Sequence, residues 1–193
     1  FFSISEPDPL TNQSVVLSDY NGFSVSCNGG ANGFVNIDII GGTPPYSFEW
    51  SNNSSNQNLT NAAAGIYSVI VSDQNDCILE LNDLILTEPT IVDIIATTIE
   101  PVSCFGASDG IVSIDVSGGV APYSFSWSID GQFVSSNPNI SNLETGEYIV
   151  SVIDSNDCEY EAVFNVGTPS VITIDESVNN ISCFEANDGS IDL

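Results

Sequence analysis

Hydrophobic and polar residues alternate along much of this chain. Tyr148, Val150 and Val152 occupy every second position of the segment GEYIVSVI, and they alternate with Glu147, Ile149 and Ser151. The segments GIVSIDVS and PYSFSW show the same period of two. Because successive side chains of a strand point to opposite faces, this pattern predicts β-strands with one buried face.

Turn-forming residues separate the alternating segments. Gly41-Gly42, Gly118-Gly119 and Asp109-Gly110 are dipeptides that readily reverse the chain between strands. No segment shows the apolar period of an amphipathic helix. The sequence therefore predicts an all-β fold: tandem immunoglobulin-like antiparallel β-sandwich domains arranged as an extended rod.

One long pattern occurs twice and then begins a third time. The copies read VSCNGGANGFVNIDIIGGTPPYSFEW around Cys27, VSCFGASDGIVSIDVSGGVAPYSFSW around Cys104 and ISCFEANDGSIDL around Cys183. Their spacing of roughly 80 residues exceeds that of solenoid repeats, so each copy must bury a core of its own. Such a series of similar domains is typical of proteins built for reach, display or multivalent contact.

This repetition predicts four parts of the chain. Residues 1–21 are the end of a preceding repeat and a linker, 22–98 and 99–177 are β-sandwich repeats, and 178–193 start a further repeat. We expect the chain to be a stretch of a longer protein. The joints TEPTIVDIIATTIEPVSC and GTPSVITIDESVNNISC are short and rich in β-branched residues, unlike flexible Gly/Ser linkers, and predict limited bending.

Positive charge is absent from the sequence. The chain has no Lys, Arg or His against 26 Asp and Glu, which gives a formal net charge of −26. Because phosphate groups are bound chiefly by Lys and Arg, nucleic acid and anionic membrane surfaces are excluded as electrostatic partners. No apolar run is long enough to span a membrane, so we expect no membrane insertion.

The same composition argues against catalysis. Without His, neither a Ser-His-Asp nor a Cys-His system can be built from these residues. A pair of carboxylates could hydrolyse a glycosidic bond, but nothing in the repeats marks two acids as such a pair. We predict that the chain is not an enzyme and requires no cofactor.

Five cysteines stand at equivalent places in the repeats. Cys27 is followed by Cys77 and Cys104 by Cys158, whereas Cys183 has no later cysteine in the sequence. One pair per repeat predicts the disulfides Cys27–Cys77 and Cys104–Cys158 in an oxidising compartment. Each would close a loop of about 50 residues and contribute about 4 kcal/mol in the chain-entropy model. Free thiols in a cytosolic protein are the alternative, and the lack of CxxC motifs and His disfavours zinc.

An Asp-rich segment precedes the second cysteine of each repeat, as SDQNDC and IDSNDC. Side-chain oxygens alternate along these short loops and could bind calcium, which is the one possible metal cofactor. The candidate ligands are Asp73, Asn75, Asp76, Asp154, Asn156 and Asp157. The alternative is an Asx turn, in which the Asp side chain accepts a hydrogen bond from a backbone N–H.

Two tryptophans end aromatic segments with alternating positions. Trp50 follows Tyr46 and Phe48, and Trp127 ends the corresponding segment of the second repeat. Aromatic side chains on one face of a strand predict core packing. The alternative is an exposed platform on which sugar rings stack.

A set of motifs in each repeat resembles the SprB repeat: SC-x-G-x-x-DG, then GG-x-x-PYSFxW, then G-x-Y-x-V-x-V-x-D-x-ND-C, then EP. In the second repeat the matching residues are Cys104, Gly106, Asp109, Gly110, Gly118, Gly119, Pro122, Tyr123, Trp127, Gly146, Tyr148, Val150, Val152, Asp154 and Cys158. The first repeat matches at corresponding positions but has Asn32 where the other two copies have Asp.

The SprB family occurs in very large surface adhesins of gliding Gram-negative bacteria. The resemblance implies an extracellular, cell-surface filament that is exported by the type IX system and moved by the gliding motor. The partners it implies are neighbouring repeats, gliding or secretion machinery, and a surface or polysaccharide substratum. We predict a non-enzymatic stalk or adhesin repeat that serves surface adhesion and gliding motility. The alternatives are a segment of a polymerised surface filament or sheath and a glycan-binding module.

The order Cys, Trp, Cys in each repeat is similar to that of immunoglobulin domains. In those domains Trp follows the first Cys by about a dozen residues. The interval from Cys27 to Trp50 is nearly twice as long. The sequence therefore predicts a similar sandwich but not the same topology.

Overall fold

The computed structural model describes residues 6–192. Over that range every regular element is a β-strand, which confirms the all-β prediction, and no helix there is long and apolar enough to cross a membrane. The first repeat contains β1 (Thr11–Leu17), β2 (Gly33–Ile40), β3 (Ser47–Trp50), β4 (Leu59–Ala62), β5 (Gly65–Ser72) and β6 (Ile78–Leu86). The second contains β7 (Asp93–Glu100), β8 (Gly110–Ser117), β9 (Ser124–Ile129), β10 (Gln132–Ser135), β11 (Asn139–Leu143), β12 (Gly146–Ile153) and β13 (Glu159–Val166).

The first repeat is a sandwich of two antiparallel sheets, with strand orders β1-β2-β4 and β3-β5-β6. The alternation of β2 decides which side faces inward. Val35, Ile37 and Ile39 are buried, whereas Asn36 and Asp38 are exposed. The residues that meet them in the core are Trp50, Leu59, Ala62, Val69, Val71, Leu84 and Leu86.

The second repeat forms its own sandwich from the sheets β11-β8-β7 and β10-β9-β12-β13. Its core is separate and consists of Val102, Val112, Ile114, Trp127, Ile140, Leu143, Tyr148, Val150, Val152 and Val166. The extra residues of its long interior loop form β10, an additional edge strand that pairs with β9. Each repeat therefore buries a core without residues of the other.

The strand order is that of immunoglobulin-like domains. There, strands A, B and E share one sheet and C, F and G the other. In chain order, β1-β2-β4 are A-B-E and β3-β5-β6 are C-F-G, and β10 is an added strand beside C. The expectation of a different topology is wrong because it relied on the cysteines: Cys27 precedes β2 and Cys77 follows β5, so neither marks a sandwich strand.

The strand pairing also moves the repeat boundaries. β1 lies within the segment 1–21 that we assigned to a preceding repeat and linker, yet it pairs with β2. β7 crosses the predicted boundary between 98 and 99 and pairs along its length with β8. Each sandwich thus begins with the β-branched strand that the sequence analysis placed in the joint. β14 (Ser177–Asn179) and β15 (Ser190–Asp192) repeat this pairing on either side of Cys183.

A tyrosine near the start of β5 and of β12 holds the preceding loop in place. The Tyr148 hydroxyl donates to the Glu144 carbonyl at 3.1 Å, and the Tyr67 hydroxyl donates to the Ala63 carbonyl at 3.0 Å. Burial is the main cause that raises the pKa of Tyr148. These contacts match the tyrosine corner of immunoglobulin-like sandwiches.

Candidate functional site

Each sandwich has two structurally different ends. One end carries the first-cysteine loop, residues 26–30 in the first repeat and 103–107 in the second. The opposite end carries the Asp corner, residues 73–77 and 154–158. The eight residues of β2 run from one end to the other, and a strand of that length spans about 25 Å. The joint between the repeats brings the first-cysteine loop of repeat one against the Asp corner of repeat two.

The Asp corner is built around a buried carboxylate. Asp154 is 4% exposed, and its oxygens accept hydrogen bonds from the backbone N–H groups of Val120, Asn156 and Cys158 at 2.9, 2.8 and 3.0 Å. Asp157 lies in the left-handed region at φ 60°, which closes the turn. The side chain thus replaces water for three backbone donors and fixes the position of Cys158.

The first repeat has the same arrangement. Asp73 accepts from the N–H groups of Thr43, Asn75 and Cys77 at 2.8, 2.8 and 2.9 Å. The bond from Cys77, followed by that from Thr43, lowers the pKa of Asp73 because these donors favour the ionised carboxyl. Asp76 occupies the same left-handed position, with φ 65°.

This geometry supports the Asx-turn interpretation of the predicted calcium ligands. Asp73 and Asp154 point at backbone donors, Asn75 and Asn156 bond through their own amides, and a calcium ion would have to displace those contacts. Between residues 6 and 192 no three His, Cys, Asp or Glu side chains come close enough to form a metal site. Calcium binding at these corners stays a prediction, and comparison of melting with calcium and with chelator tests it.

The first-cysteine loop is closed by a side chain six residues further along. In the second repeat, Ser103 N–H donates to the Asp109 carboxylate at 2.8 Å, and this serine is the main cause that lowers the pKa of Asp109. In the first repeat, Ser26 N–H donates to the side-chain oxygen of Asn32 at 3.1 Å. The Asn32 amide also donates to the Ser26 hydroxyl at 2.8 Å. The departure from Asp therefore preserves the loop.

The linker between the sandwiches lies against both of them. Gly118 has φ 76°, and a Cβ there would stand 1.9 Å from the Ile91 carbonyl oxygen, so only glycine allows this close approach. The next residue, Gly119, donates its N–H to the Thr90 carbonyl at 2.8 Å. On the other side, the Glu88 carboxylate accepts from Gly29 N–H at 2.7 Å. The linker is therefore fixed to the first-cysteine loop of one repeat and to the Gly118–Gly119 turn of the next.

A disulfide crosses this joint. Cys27 of the first repeat bonds to Cys158 of the second, with 5.8 Å between their Cα atoms and a separation of 131 residues. Cys77, Cys104 and Cys183 are free and exposed. The predicted pairs Cys27–Cys77 and Cys104–Cys158 are therefore wrong.

The predicted pairing fails for a geometric reason. Cys27 and Cys77 lie at opposite ends of one sandwich, separated by the length of β2. The eight-residue β8 separates Cys104 from Cys158 in the same way. Cysteines whose Cα atoms lie more than about 7 Å apart cannot be bridged without backbone movement. End-to-end stacking brings the first cysteine of one repeat to the second cysteine of the next.

Asn156 makes the polar contact across the joint. Its side-chain N–H group donates to the carbonyl oxygens of Ser26 at 2.9 Å and Tyr20 at 3.2 Å. Its side-chain oxygen accepts from the Asn21 amide at 2.5 Å. Tyr20 and Asn21 belong to a short loop between β1 and Val25 in which Tyr20 and Phe23 form an isolated bridge. The sequence analysis named Asn156 as a calcium ligand and missed both Tyr20 and Asn21.

The two tryptophans are core residues. Trp50 and Trp127 are 1% and 0% exposed. Their indole N–H groups donate to the carbonyl oxygens of Asn56 and Asn137 at 2.8 and 2.9 Å. A sugar cannot stack on buried rings, so these residues are not a glycan platform.

Comparison with known proteins finds the SprB repeat in two segments. The family model matches residues 24–55 and 96–132, which lie at corresponding places in the two repeats. The predicted resemblance to this family is therefore confirmed for these segments. No curated protein sequence matches the chain significantly.

Three solved structures are similar in fold. The three N-terminal domains of the highly immunogenic outer capsid protein Hoc of bacteriophage RB49 share 17% identity over 90% of this chain, with a TM-score of 0.48. A C-terminal fragment of intimin, in complex with the intimin-binding domain of its translocated receptor, shares 19% over 82% with a TM-score of 0.41. The eight N-terminal Ig domains of Down syndrome cell adhesion molecule share 10% over 84% with a TM-score of 0.39. This chain spans 62%, 64% and 25% of those structures.

Proposed function

We propose that this chain is a stretch of a non-enzymatic, extracellular stalk of a very large cell-surface adhesin. The observation that carries the proposal is the disulfide from Cys27 to Cys158, which joins two sandwiches with separate cores. A bond placed at the joint serves the arrangement of the repeats rather than the stability of one core. A stalk that transmits force needs such fixed joints.

The covalent path through the joint supports a mechanical role. A pull on the two ends of the chain passes from Cys27 directly to Cys158, and the 131 residues between them in sequence are bypassed. Strands β2 to β12 lie within the bypassed segment. They carry no covalent tension while the disulfide is intact. The disulfide therefore protects β2 to β12 from loads that would otherwise pull them apart, whereas β1 and β13 lie outside the bypassed segment.

The composition supports an extracellular location. Lys- and Arg-specific proteases find no cleavage residue in this chain, and disulfides form and persist in oxidising compartments. The net charge of −26 keeps such surfaces apart from one another and favours a soluble, extended array.

The match to the SprB repeat supports surface adhesion and gliding motility as the process. In this proposal the array spaces an adhesive part from the cell, and gliding or secretion machinery moves or exports it. Its external partner is a solid surface or polysaccharide substratum that the whole protein contacts. Neighbouring repeats are its internal partners.

Antibodies raised against this chain test the proposal on cells that produce the protein. Intact cells are labelled and are then treated with a Glu-specific protease that strips the label, and attachment to glass and movement are scored before and after this treatment. We expect labelling without permeabilisation, and loss of attachment and gliding once the protease has stripped the label. Label that appears only in permeabilised cells, or attachment and gliding that persist after the label has been stripped, contradicts the proposal.

Lateral assembly into a filament or sheath is a second candidate. On the outer face of the sheet β3-β5-β6, Ile66 pairs directly with Ile85, and the two side chains are 69% and 51% exposed. At the position of Ile66 the second repeat has Glu147. This apolar face would contact a second copy of the chain. Sedimentation of the chain and of Ile66→Glu tests it: faster sedimentation of the unmodified chain alone supports assembly, and equal monomeric values contradict it.

A further inference from the structure

Cys77 and Cys104 are exposed thiols that occupy the same structural places as the two bonded cysteines. Cys104 lies in the first-cysteine loop of the second repeat, as Cys27 does in the first. Cys77 lies in the Asp corner of the first repeat, as Cys158 does in the second. Each free cysteine is therefore one half of the joint already seen once in this chain.

The first-cysteine loops agree in detail. Gly30 N–H donates to the Cys27 carbonyl at 3.0 Å, and Ala107 N–H donates to the Cys104 carbonyl at the same distance. The intervening glycines have φ values of 72° at Gly29 and 78° at Gly106. Cys104 is thus held in the conformation that Cys27 adopts when it is bonded.

The Asp corners agree equally well. Asp73 N–H donates to the Cys77 carbonyl at 3.0 Å, and Asp154 N–H donates to the Cys158 carbonyl at 3.1 Å. The return bonds from Cys77 N–H and Cys158 N–H to the Asp carboxylates measure 2.9 and 3.0 Å. The difference is in exposure: Cys158 is 4% exposed beneath the neighbouring repeat, whereas Cys77 is open to solvent.

Each free cysteine also lies in a recess at the end of its sandwich. A pocket of about 340 Å³ is lined by Cys104, Phe105 and the linker residues Pro169 to Ile172. A pocket of about 410 Å³ is lined by Cys77, Gly42 and the segment from Glu6 to Leu10. Phe105 is 68% exposed and Ile172 is 90% exposed. Both recesses lie where the linker adjoins the free end of a sandwich.

We propose that Cys104 bonds to the second cysteine of a repeat that follows, and Cys77 to the first cysteine of a repeat that precedes. In each joint two thiols lose two protons and two electrons and form one disulfide. The electrons reduce an oxidant of the disulfide class, such as glutathione disulfide, to two thiols. The occupant of each recess is another repeat of this kind, because the joint from Cys27 to Cys158 shows how these two ends fit.

The proposed joint at Cys104 differs in its packing from the joint at Cys27. The register of β5 with β6 and of β12 with β13 aligns Leu86 with Val166, so Thr168 stands at the place of Glu88. Phe105 likewise replaces Asn28. At the joint of Cys27 the Glu88 carboxylate binds the first-cysteine loop. At Cys104 this contact is replaced by the exposed Phe105 ring beside the apolar linker residues Val171 and Ile172. An incoming Asp corner would cover that ring, which gives this joint an apolar contact in place of a polar one.

Staggered bonds of this kind would make an array almost inextensible. In such an array Cys183, too, bonds to the second cysteine of the repeat that follows its own. A pull on the array then passes through the disulfides, and for every two repeats it passes along the backbone only from Cys158 to Cys183. Those roughly 25 residues reach about 90 Å when fully extended. Two stacked sandwiches, each with strands about 25 Å long and turns at both ends, span most of that distance. This inference deepens the proposed stalk function. The bonds themselves do not rest on that function, and only the mechanical role of an inextensible array does.

The test is a chain lengthened by its own first repeat, with a copy of residues 8–89 inserted after Pro169. The chain is oxidised with glutathione disulfide, alkylated and digested with a Glu-specific protease. Cleavage after Glu49, Glu80, Glu144, Glu147 and Glu159 separates Cys27, Cys77, Cys104 and Cys158, but both copies of Cys77 lie on the same peptide, residues 50–80, so a variant without the inserted Cys77 is needed to assign the bond. We expect one peptide that links Cys104 to the Cys77 of the inserted copy, together with Cys27–Cys158.

Cys77→Ser in the inserted copy is the matched control, and it should leave Cys104 alkylated and Cys27–Cys158 intact. An unmodified inserted copy with Cys104 still alkylated overturns the proposal. Peptides that link Cys27 to Cys77, or Cys104 to Cys158, overturn it as well. So does a Cys104 bond found only in dimers on a non-reducing gel. These results would overturn the proposed disulfides but not the extracellular stalk role, which the labelling of cells tests separately.

A second chain keeps the test decisive if the first does not fold. It carries a copy of residues 90–169 inserted after Pro7, so that the inserted Cys104 precedes the original Cys77. The same Cys77–Cys104 peptide is expected. Its absence from a chain that does form Cys27–Cys158 overturns the proposal.

Discussion

Cys27 and Cys158 are bonded across the joint between two sandwiches, although each stands in a repeat with a second cysteine of its own. The bond requires that the first-cysteine loop of one repeat meet the Asp corner of the next. Asn156, two residues before Cys158, donates to the Ser26 carbonyl beside Cys27 at 2.9 Å. The covalent and polar contacts thus lie at one point of the joint.

Removal of the disulfide should free the joint without unfolding either repeat. Neither sulfur belongs to a hydrophobic core. For the double variant Cys27→Ser, Cys158→Ser we expect both sandwiches to stay folded at 25 °C but to melt at a lower temperature than in the parent chain, because the bond closes a loop of 131 residues and constrains the unfolded chain by about 5 kcal/mol in the chain-entropy model. Small-angle scattering should show a broader distribution of end-to-end distances. Cys183→Ser is the control, and loss of β-structure from either repeat of the double variant at 25 °C would show that the bond is needed to hold a core together.

Single-molecule pulling should detect the bypassed segment. The chain is held by its ends between marker domains and stretched with and without reductant. Reduction should release roughly 45 nm of additional contour length, because the separation of 131 residues corresponds to about 3.5 Å per residue. Disulfides within each repeat would hide two loops of about 50 residues and release roughly 35 nm. That shorter increment, or none, would contradict the interdomain bond.

Asn156→Ala should loosen the joint, and Asn75→Ala should not. The two residues occupy the same position of the two Asp corners, but Asn75 donates only to the Thr43 hydroxyl of its own repeat, at 3.0 Å. Loss of the Asn156 contacts to Ser26 and Asn21 removes bonds worth about 1 kcal/mol each. In the reduced chain, interdomain distances measured by energy transfer should broaden for Asn156→Ala alone. Equal broadening in both variants would show that the effect arises within the corner.

Acid should destabilise the first repeat through Asp73. Its pKa is lowered in the folded protein by the N–H groups of Cys77 and Thr43. A carboxyl with a depressed folded pKa contributes stability above its unfolded value, near 3.8, and that stability is lost as the pH falls through the folded pKa. Thermal melts between pH 2 and 5 should therefore decline more steeply for the parent chain than for Asp73→Asn, whose amide does not titrate. Parallel curves would exclude Asp73 as a source of the acid sensitivity.

The alternation of residues was sufficient to predict the strands and the inward faces. Val150 and Val152 are buried where the period of two placed them, and Trp127 is buried with them. These features are local, because the side-chain direction in a strand depends only on its position. The Asx turns at Asp73 and Asp154 were among the stated alternatives for the same reason.

The pairing of cysteines could not be obtained in this way. Sequence spacing states how many residues separate Cys27 from Cys77, but not that β2 carries the chain to the other end of the sandwich before it returns. The repeat boundaries failed similarly, because the composition of β1 and β7 favours extended chain but does not say which sandwich each strand joins, and only the pairing with β2 and β8 reveals it. Tyr20 and Asn21 carry no motif, since their role depends on a surface supplied by the next repeat.

Peptide mapping of the oxidised chain tests the interdomain bond most directly. Trypsin has no cleavage site here, but a Glu-specific protease places Cys27, Cys77, Cys104 and Cys158 on four different peptides. We predict one linked pair under non-reducing conditions, the peptide of Cys27 with residues 148–159, and alkylated thiols at Cys77, Cys104 and Cys183. Linked peptides that join Cys27 to Cys77 and Cys104 to Cys158 would contradict the joint described for this molecule.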